Sequence, residues 1–365
     1  MKLKKFLAFF LAMTMLFCLT ACSDSKGEEE EKEEMVTVYL LTKSVRNEDG
    51  EEAYRTEYEY DSKGNRIKWT TYRYGEESLR YEYEYDSKGN QTKYTCCEDG
   101  KETLRYEYEY DSKSNRIKAT FYSAGEKTLH SEYEYDSKGN IIKSIGYDAN
   151  GKEDSRTEYE YDSNGNEIKE THYDTYGIAA YSYEYEYDSK GNQIKWTTYK
   201  YGEETFHYEY KYDSKGNQIK IARYEYGRET SRTEYEYDSK GNIIKAIYDS
   251  GNYSEYKYDS KGNTVKYISY DAYGDITDYE ENKYDSKGNL LKTICYNADG
   301  EETDRTEYEY NGKAYPVKVT STSDSETQTE TLEYKKITVS AERAEELKEM
   351  YNTAFDNFPK VIIAK

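Results

Sequence analysis

Residues 57–68 read Glu57-Tyr58-Glu59-Tyr60-Asp61-Ser62-Lys63-Gly64-Asn65-Arg66-Ile67-Lys68, and nearly the same text returns down the chain. The Tyr-Asp pair recurs with its tyrosine at 60, 85, 110, 135, 161, 187, 212, 237, 258 and 284, and Tyr310-Asn311 closes the series. The spacing stays near 25 residues, so one small unit is copied eleven times. Exceptions are few, notably Ser114 for the glycine and Asn164 for the lysine.

Glu-Tyr-Glu-Tyr alternates with period two and uses a strong strand former, while Asp-Ser-Lys-Gly-Asn concentrates turn residues. Each unit therefore reads as a β-hairpin. An even loop sets Tyr60 against Ile67, Glu59 against Lys68 and Tyr58 against Trp69, whereas a three-residue loop would set rings against charges. The even loop is the expectation. It gives one face of Tyr, Ile and Trp and another of Glu, Lys and Thr. A second turn at Tyr74-Gly75-Glu76-Glu77 returns the chain to the next Tyr-Asp strand. The predicted fold is all-β: an antiparallel meander of about eleven hairpins in an extended or spiral sheet, with a short C-terminal capping helix. Curling into a spiral covers the aromatic side better than a flat ribbon does.

Both ends carry candidate caps. Residues 35–46, with Val36, Val38, Leu40 and Leu41, supply a leading strand. Pro316, Val317 and Val319, then Leu332 to Val339, suggest further strands around a polar loop at 320–331. Ser340 has the character of an N-cap, and Ala344, Leu347, Tyr351, Ala354 and Phe358 recur at helical spacing. This helix is expected to close the last strand's edge, or alternatively to dock a partner.

Composition sharpens the picture. The 365 residues carry 52 Lys+Arg against 74 Asp+Glu, a net charge of -22, which disfavours binding to a phosphate backbone. Mean hydropathy is -1.19, and with a single apolar run this excludes a bundle of membrane-crossing helices. Aliphatic residues are so scarce that disorder would be the default, but the chain has 49 tyrosines, in phase with the repeat. Tyrosine replaces the missing core.

The N-terminus reads as an address. Lys2, Lys4 and Lys5 precede an apolar stretch from Phe6 to Leu19, the length of a signal-peptide core. Leu19-Thr20-Ala21-Cys22 resembles the bacterial lipobox, which implies cleavage after residue 21 and a lipid on Cys22. Each buried methylene of such a lipid contributes roughly 0.8 kcal/mol to membrane attachment. Residues 22–34, rich in Glu, form an acidic tether. The remaining segments are an N-terminal strand or cap at 35–50, the repeat array at 51–315, and C-terminal strands with the helix at 316–365. Cys96, Cys97 and Cys295 read as free thiols, and His130, His172 and His207 are too scattered for a zinc site.

No catalytic motif stands out, so an enzyme is not expected, and no cofactor or metal is called for. The Asp-Ser-Lys-Gly-Asn loops could suggest calcium, but each offers one carboxylate beside a lysine, and an Asx turn accounts for the aspartate. Aromatic side chains are the better ligand candidates, because flat apolar rings with polar tips suit sugar stacking or a protein interface. Trp69 and Trp196 share one repeat position in the text Ile-Lys-Trp-Thr-Thr-Tyr. Tyr72, Tyr122 and Tyr199 lie on the opposite parity near the second turn and are expected to reach solvent.

The run Tyr-x-Tyr-Asp-x-x-Gly at 58–64, 83–89, 133–139, 159–165, 185–191 and onward resembles the YD repeat of RHS-type bacterial surface proteins and toxins, over roughly residues 50–315. The resemblance implies hairpins coiling into a spiral sheet, with carbohydrate binding at a surface or, in long members, enclosure of a toxin. This chain departs from it: Asn usually follows the glycine where Arg is common, and the Asp-Pro-x-Gly-Leu element that ends toxin shells is missing. The reading is a lipid-anchored protein on the extracytoplasmic face of a bacterial cell membrane, with a structural or binding role toward a cell-wall or host glycan or a surface protein. A glycan hydrolase or its accessory module, and a purely mechanical spacer, are the alternatives.

Overall fold

The computed structural model describes residues 34–48, 50–312, 315–323, 326–352 and 361–363. The chain divides into units 1–34 and 35–365, and every described strand and the helix belong to the second. Cys22, the apolar stretch before it and the helix positions Ala354 and Phe358 lie outside the described residues.

Each repeat is a hairpin, as the alternation predicts. In the first, Glu51–Tyr60 pairs with Arg66–Arg73, setting Tyr58 opposite Trp69 and Glu59 opposite Lys68. The turn itself differs from expectation. The Asp61 N–H donates to the Asn65 carbonyl at 2.9 Å and the Gly64 N–H to the Asp61 carbonyl at 3.3 Å, so the loop is the three residues 62–64. Gly64 sits at φ +84°, the left-handed position that completes this turn class. An added Cβ there would also meet Leu347 Cδ1 at 2.7 Å. The odd loop is then offset by a second irregularity. Register slips between Glu59 and Tyr60, so that Tyr60 faces Arg66 and Ile67 is the extra residue of a bulge. Two odd steps cancel, which is why the expected ring and charge pairs survive. Ile67 does not join Tyr60 and remains 37% exposed.

The second turn is a two-residue loop, with Tyr74 at φ 49° and Gly75 at φ 82°, the left-handed pair that matches strand twist. A further slip between Thr71 and Tyr72 restores Trp69 opposite Tyr81. Repeated along the chain, these hairpins join one 25-stranded sheet.

That sheet is neither extended nor spiral. Met35–Glu48 pairs antiparallel with Glu51–Tyr60 on one side and with Glu326–Ser340 on the other, so the meander closes into a ring of 24 strands. The physical reason lies in the two end strands. They have 14 and 15 residues against 6 to 10 in the repeats, enough to pair from Met35↔Ser340 to Asn47↔Thr329. Closure satisfies both edges that a spiral would leave open. The short strand Val361–Ile363 covers Val38–Leu40 beyond the first hairpin. The polar 320–331 stretch is largely strand, as Pro316–Ser323 and Glu326–Ser340 form their own hairpin.

The scarce aliphatic residues gather at this seam. Val38, Leu40, Leu41, Val319, Leu332 and Val339 are buried with Tyr58 and Tyr60 beneath Ala344, Leu347 and Tyr351 of the helix Ala341–Tyr351. Ser340 caps that helix, accepting from the Arg343 N–H at 3.2 Å. The helix therefore covers the face of the seam rather than the last strand's edge, which Met35–Glu48 already pairs. Among the described residues, no strand outside the seam, apart from Arg66–Arg73 whose first residue meets Tyr351, contacts anything but its sheet neighbours. Most of the ring is a single layer of sheet, and its aromatic side chains pack on one another.

Candidate binding surface

The repeat signature is fully engaged in holding the sheet together. Asp61 accepts through Oδ1 from the Lys63 and Asn65 N–H groups, both at 2.8 Å, and through Oδ2 from the Asn65 side chain at 2.7 Å. The same pattern recurs at Asp86, Asp188 and Asp285. Hydrogen bonds from Asn90 hold the Asp86 carboxyl below its ordinary value, and Asn192 does the same for Asp188. Lysines of these loops reach the next loop: Lys63 Nζ donates to the Ser87 carbonyl at 2.9 Å, Lys88 to Ser112 at 2.6 Å, and Lys261 to Ser286. The tyrosines that precede the loop aspartates donate backwards. Tyr110 binds the Gln91 carbonyl at 2.7 Å, and Tyr237 binds the Gln218 carbonyl at 2.7 Å. Apart from Tyr60, which binds the Leu41 carbonyl in the leading strand, each such carbonyl belongs to the first residue of a bulged strand, where the ladder to the next hairpin has not yet begun. A role in recognition therefore falls to the positions that vary between copies.

On the charged face, a cross-strand partner covers the second-turn tyrosine in several repeats. Arg55 lies 3.9 Å from the Tyr72 ring centroid and Arg105 lies 4.1 Å from that of Tyr122. His130 stacks on Tyr147 at 4.6 Å, and Tyr253 on Tyr270 at 4.4 Å. Tyr72 and Tyr122 are thus half-buried under guanidinium groups. Tyr199 faces Ser182, a residue too small to cover it. Tyr122 also lines a shallow groove of about 440 Å³, where its hydroxyl donates to Glu107 at 3.1 Å and Lys93 pairs with Glu84 at 3.0 Å.

The aromatic face separates the two tryptophans. Trp69 packs against the seam core, with Tyr81 at 4.7 Å and the Arg66 guanidinium at 5.3 Å. Trp196 occupies the same register with no helix over it. Tyr208 stacks on Trp196 at 5.5 Å and 8°, Phe206 meets it edge-on at 6.0 Å, and Tyr183 lies at 6.2 Å. Its indole Nε1, like that of Trp69, is buried without a hydrogen-bond partner. Thr198, between Tyr183 and Phe206 in the ladder, is 7% exposed and its Oγ1 also lacks a partner.

The patch continues into residues that sequence reasoning did not single out. Glu170 stands in the Trp69 register, between Tyr159 and Tyr183, and pairs with His172 Nε2 at 2.9 Å. His172 meets the Tyr183 ring at 5.5 Å and Thr157 Oγ1 at 3.2 Å. Glu167 stands in the Arg66 register on the same strand, and Tyr187 donates to its backbone carbonyl at 2.9 Å. Burial, reinforced by the charge of Glu170, pushes the Glu167 carboxyl up to about 7. The signal was present in the text: aligned copies carry Arg66, Gln91, Arg116, Ile141, Gln193 or Gln218 where this one carries Glu. An out-of-phase acid inside an aromatic row is the mark to look for.

A family described as a protein of unknown function (DUF2963) matches residues 97–145 and 122–172. No curated protein matches the chain. Among solved structures, TcdB2-TccC3 is similar over 80% of this chain and 21% of its own, at 12% identity and a TM-score of 0.32. The Tc holotoxin pore of Photorhabdus luminescens is similar over 81% of this chain and 25% of its own, at 12% identity and a TM-score of 0.28. A porin-like protein from Bacteroides uniformis is similar over 82% of this chain and 96% of its own, at 13% identity and a TM-score of 0.27. The chain spans about a fifth to a quarter of the length of the Tc toxin structures.

Proposed function

We propose that this chain is a lipid-anchored protein of the bacterial envelope that binds a glycan on its aromatic face and catalyses no reaction. One observation carries the binding reading. The repeat signature is engaged in loop and ladder bonds, while Trp196, Tyr208, Phe206 and Tyr183 form a ring surface with no helix over it. Flat apolar rings with polar tips suit the apolar face of a sugar. Attachment rests on Cys22, whose lipid would place the ring at the extracytoplasmic surface of the cell membrane.

A glycan array probed with the purified chain tests the binding. Selective binding that disappears in Trp196→Ala supports it, and an array with no saturable signal leaves the mechanical spacer as the better account. Labelling with an alkyne fatty acid in a bacterial host tests the anchor. Label that persists in Cys22→Ser would rule it out.

A further inference from the structure

From the first repeat to the ninth, the copies place the same backbone socket on the aromatic face, between the Tyr58-type ring of one repeat and that of the next; Asn282 replaces the ring in the tenth. In the first repeat the chain fills this socket with its own cation. The Arg66 guanidinium lies 5.8 Å from the Tyr58 ring, 5.4 Å from Tyr83, 5.3 Å from Trp69 and 5.0 Å from Tyr351. In the third repeat Arg116 lies 5.4 Å from Tyr108 and 5.1 Å from Tyr133. The arrangement is therefore suited to a cation, and the chain supplies one there twice.

In the fifth repeat the residue at this position is Glu167, and the corresponding rings are Tyr159 and Tyr185. Glu167 pairs with Tyr161, and Glu170 pairs with Tyr159 across one ladder and with Tyr183 across the other, which sets the two carboxylates beside this row of phenols; burial, and then their charges, raise Tyr159 and Tyr185. Glu170 has His172 as its ion-pair partner, whereas Glu167 has no ion pair or side-chain hydrogen bond among the described residues. A half-buried carboxylate without a counter-charge is costly in an aromatic setting, and a cation between rings and carboxylate gains from both. The adjoining surface carries a further unsatisfied polar group. Thr198, more than nine-tenths buried on the same face, has a hydroxyl without a partner beside Tyr183.

We infer that the socket formed by Glu167, Tyr159 and Tyr185 binds an organic cation, an ammonium or guanidinium group carried by a ligand that lies along the Trp196 surface. The inference rests on the reading of that surface as a recognition site and adds the chemistry recognised. An amine-bearing sugar chain and a basic peptide both present this group.

Isothermal titration of the purified full chain distinguishes the sources, using a glucosamine tetramer, tetralysine and the N-acetylated glucosamine tetramer as the neutral control. The expected result is that one amine probe binds at least tenfold more tightly than the neutral tetramer and loses that advantage in Glu167→Gln and in Glu167→Arg. The arginine variant recreates the arrangement of Arg66 and Arg116, so it tests the socket in a side-chain setting this fold already uses. Circular dichroism of both variants confirms that the sheet is intact. The inference is overturned if neither amine probe binds more tightly than the neutral tetramer, or if both variants bind the amine as the native chain does. Neutral-tetramer binding lost in Trp196→Ala reports on the glycan reading separately, so failure of one leaves the other readable.

Discussion

The phenol of Tyr85 donates a hydrogen bond of 2.9 Å to the carbonyl of Arg66, nineteen residues earlier in the chain. The contact links one hairpin to the preceding one at the point where the bulge after Arg66 interrupts regular pairing. Tyr212 makes the same bond to Gln193 at 2.8 Å, and Tyr310 to Leu290 at 2.8 Å. The hydroxyl, and not only the ring, therefore belongs to the repeat.

Tyr212→Phe keeps the ring and removes the donor, leaving the Gln193 carbonyl unpaired. It is expected to cost about 1 kcal/mol, read by urea denaturation. Because copies interact through neighbours, Tyr110→Phe and Tyr237→Phe should add within about 0.5 kcal/mol when combined. A double variant no weaker than either single one would contradict the picture of local stabilisation.

The tryptophans should differ in what they lose. Trp69 packs into the seam, so Trp69→Ala is expected to destabilise the ring by about 3–4 kcal/mol, measured by thermal unfolding. Trp196→Ala, on an uncovered sheet, should cost about 1–2 kcal/mol and act mainly on binding. Equal losses would mean that the helix does not set Trp69 apart.

Two sets of carboxyls should oppose each other in pH. Asp86 and Asp188 have folded values below the ordinary one. Their contribution is present above about pH 4, where the unfolded chain is ionised, and is lost as pH falls through the lower folded values. Glu167 is raised to about 7, so the folded state keeps a proton that the unfolded state gives up as pH rises from the ordinary carboxyl range. Stability falls across that window and levels off above it. After allowance for solvent screening, Glu167→Gln should gain about 1–2 kcal/mol relative to the native chain at pH 8 and nothing at pH 4. A difference that is flat with pH would refute the assignment.

Calcium should leave thermal stability unchanged at millimolar concentration, since the loop aspartates already accept from their own backbone. A calcium-dependent rise in Tm would reopen the metal reading of the loops.

Removal of residues 35–48 should turn the ring into an open strip with two long unpaired edges, at Glu51–Tyr60 and Glu326–Ser340. Light scattering after size-exclusion chromatography is expected to show association. A monomer of unchanged dimensions would argue against closure by this strand.

Much of this architecture was legible in the text and some was not. The pairing of Tyr58 with Trp69 and of Glu59 with Lys68 follows from alternation, because one wrong step would place rings against charges. The loop parity does not follow, since an odd loop and a bulge at Ile67 give the same pairs as an even loop alone. Closure was hidden for a different reason. It depends on partners about 300 residues apart, Leu41 with Tyr334 and Val36 with Val339, and no local pattern records them. At the candidate surface, Trp196 was visible as a ring in phase, while Glu167 became visible only when copies were aligned and the odd residue was asked for a reason.

A closed meander has one more property. In an open ribbon an added copy lengthens the molecule, whereas in a ring joined at a fixed seam it widens the circumference by two strands, roughly 10 Å. Slippage during replication of so repetitive a coding sequence would therefore change the bore of the ring while leaving its height and its fastening strands as they were.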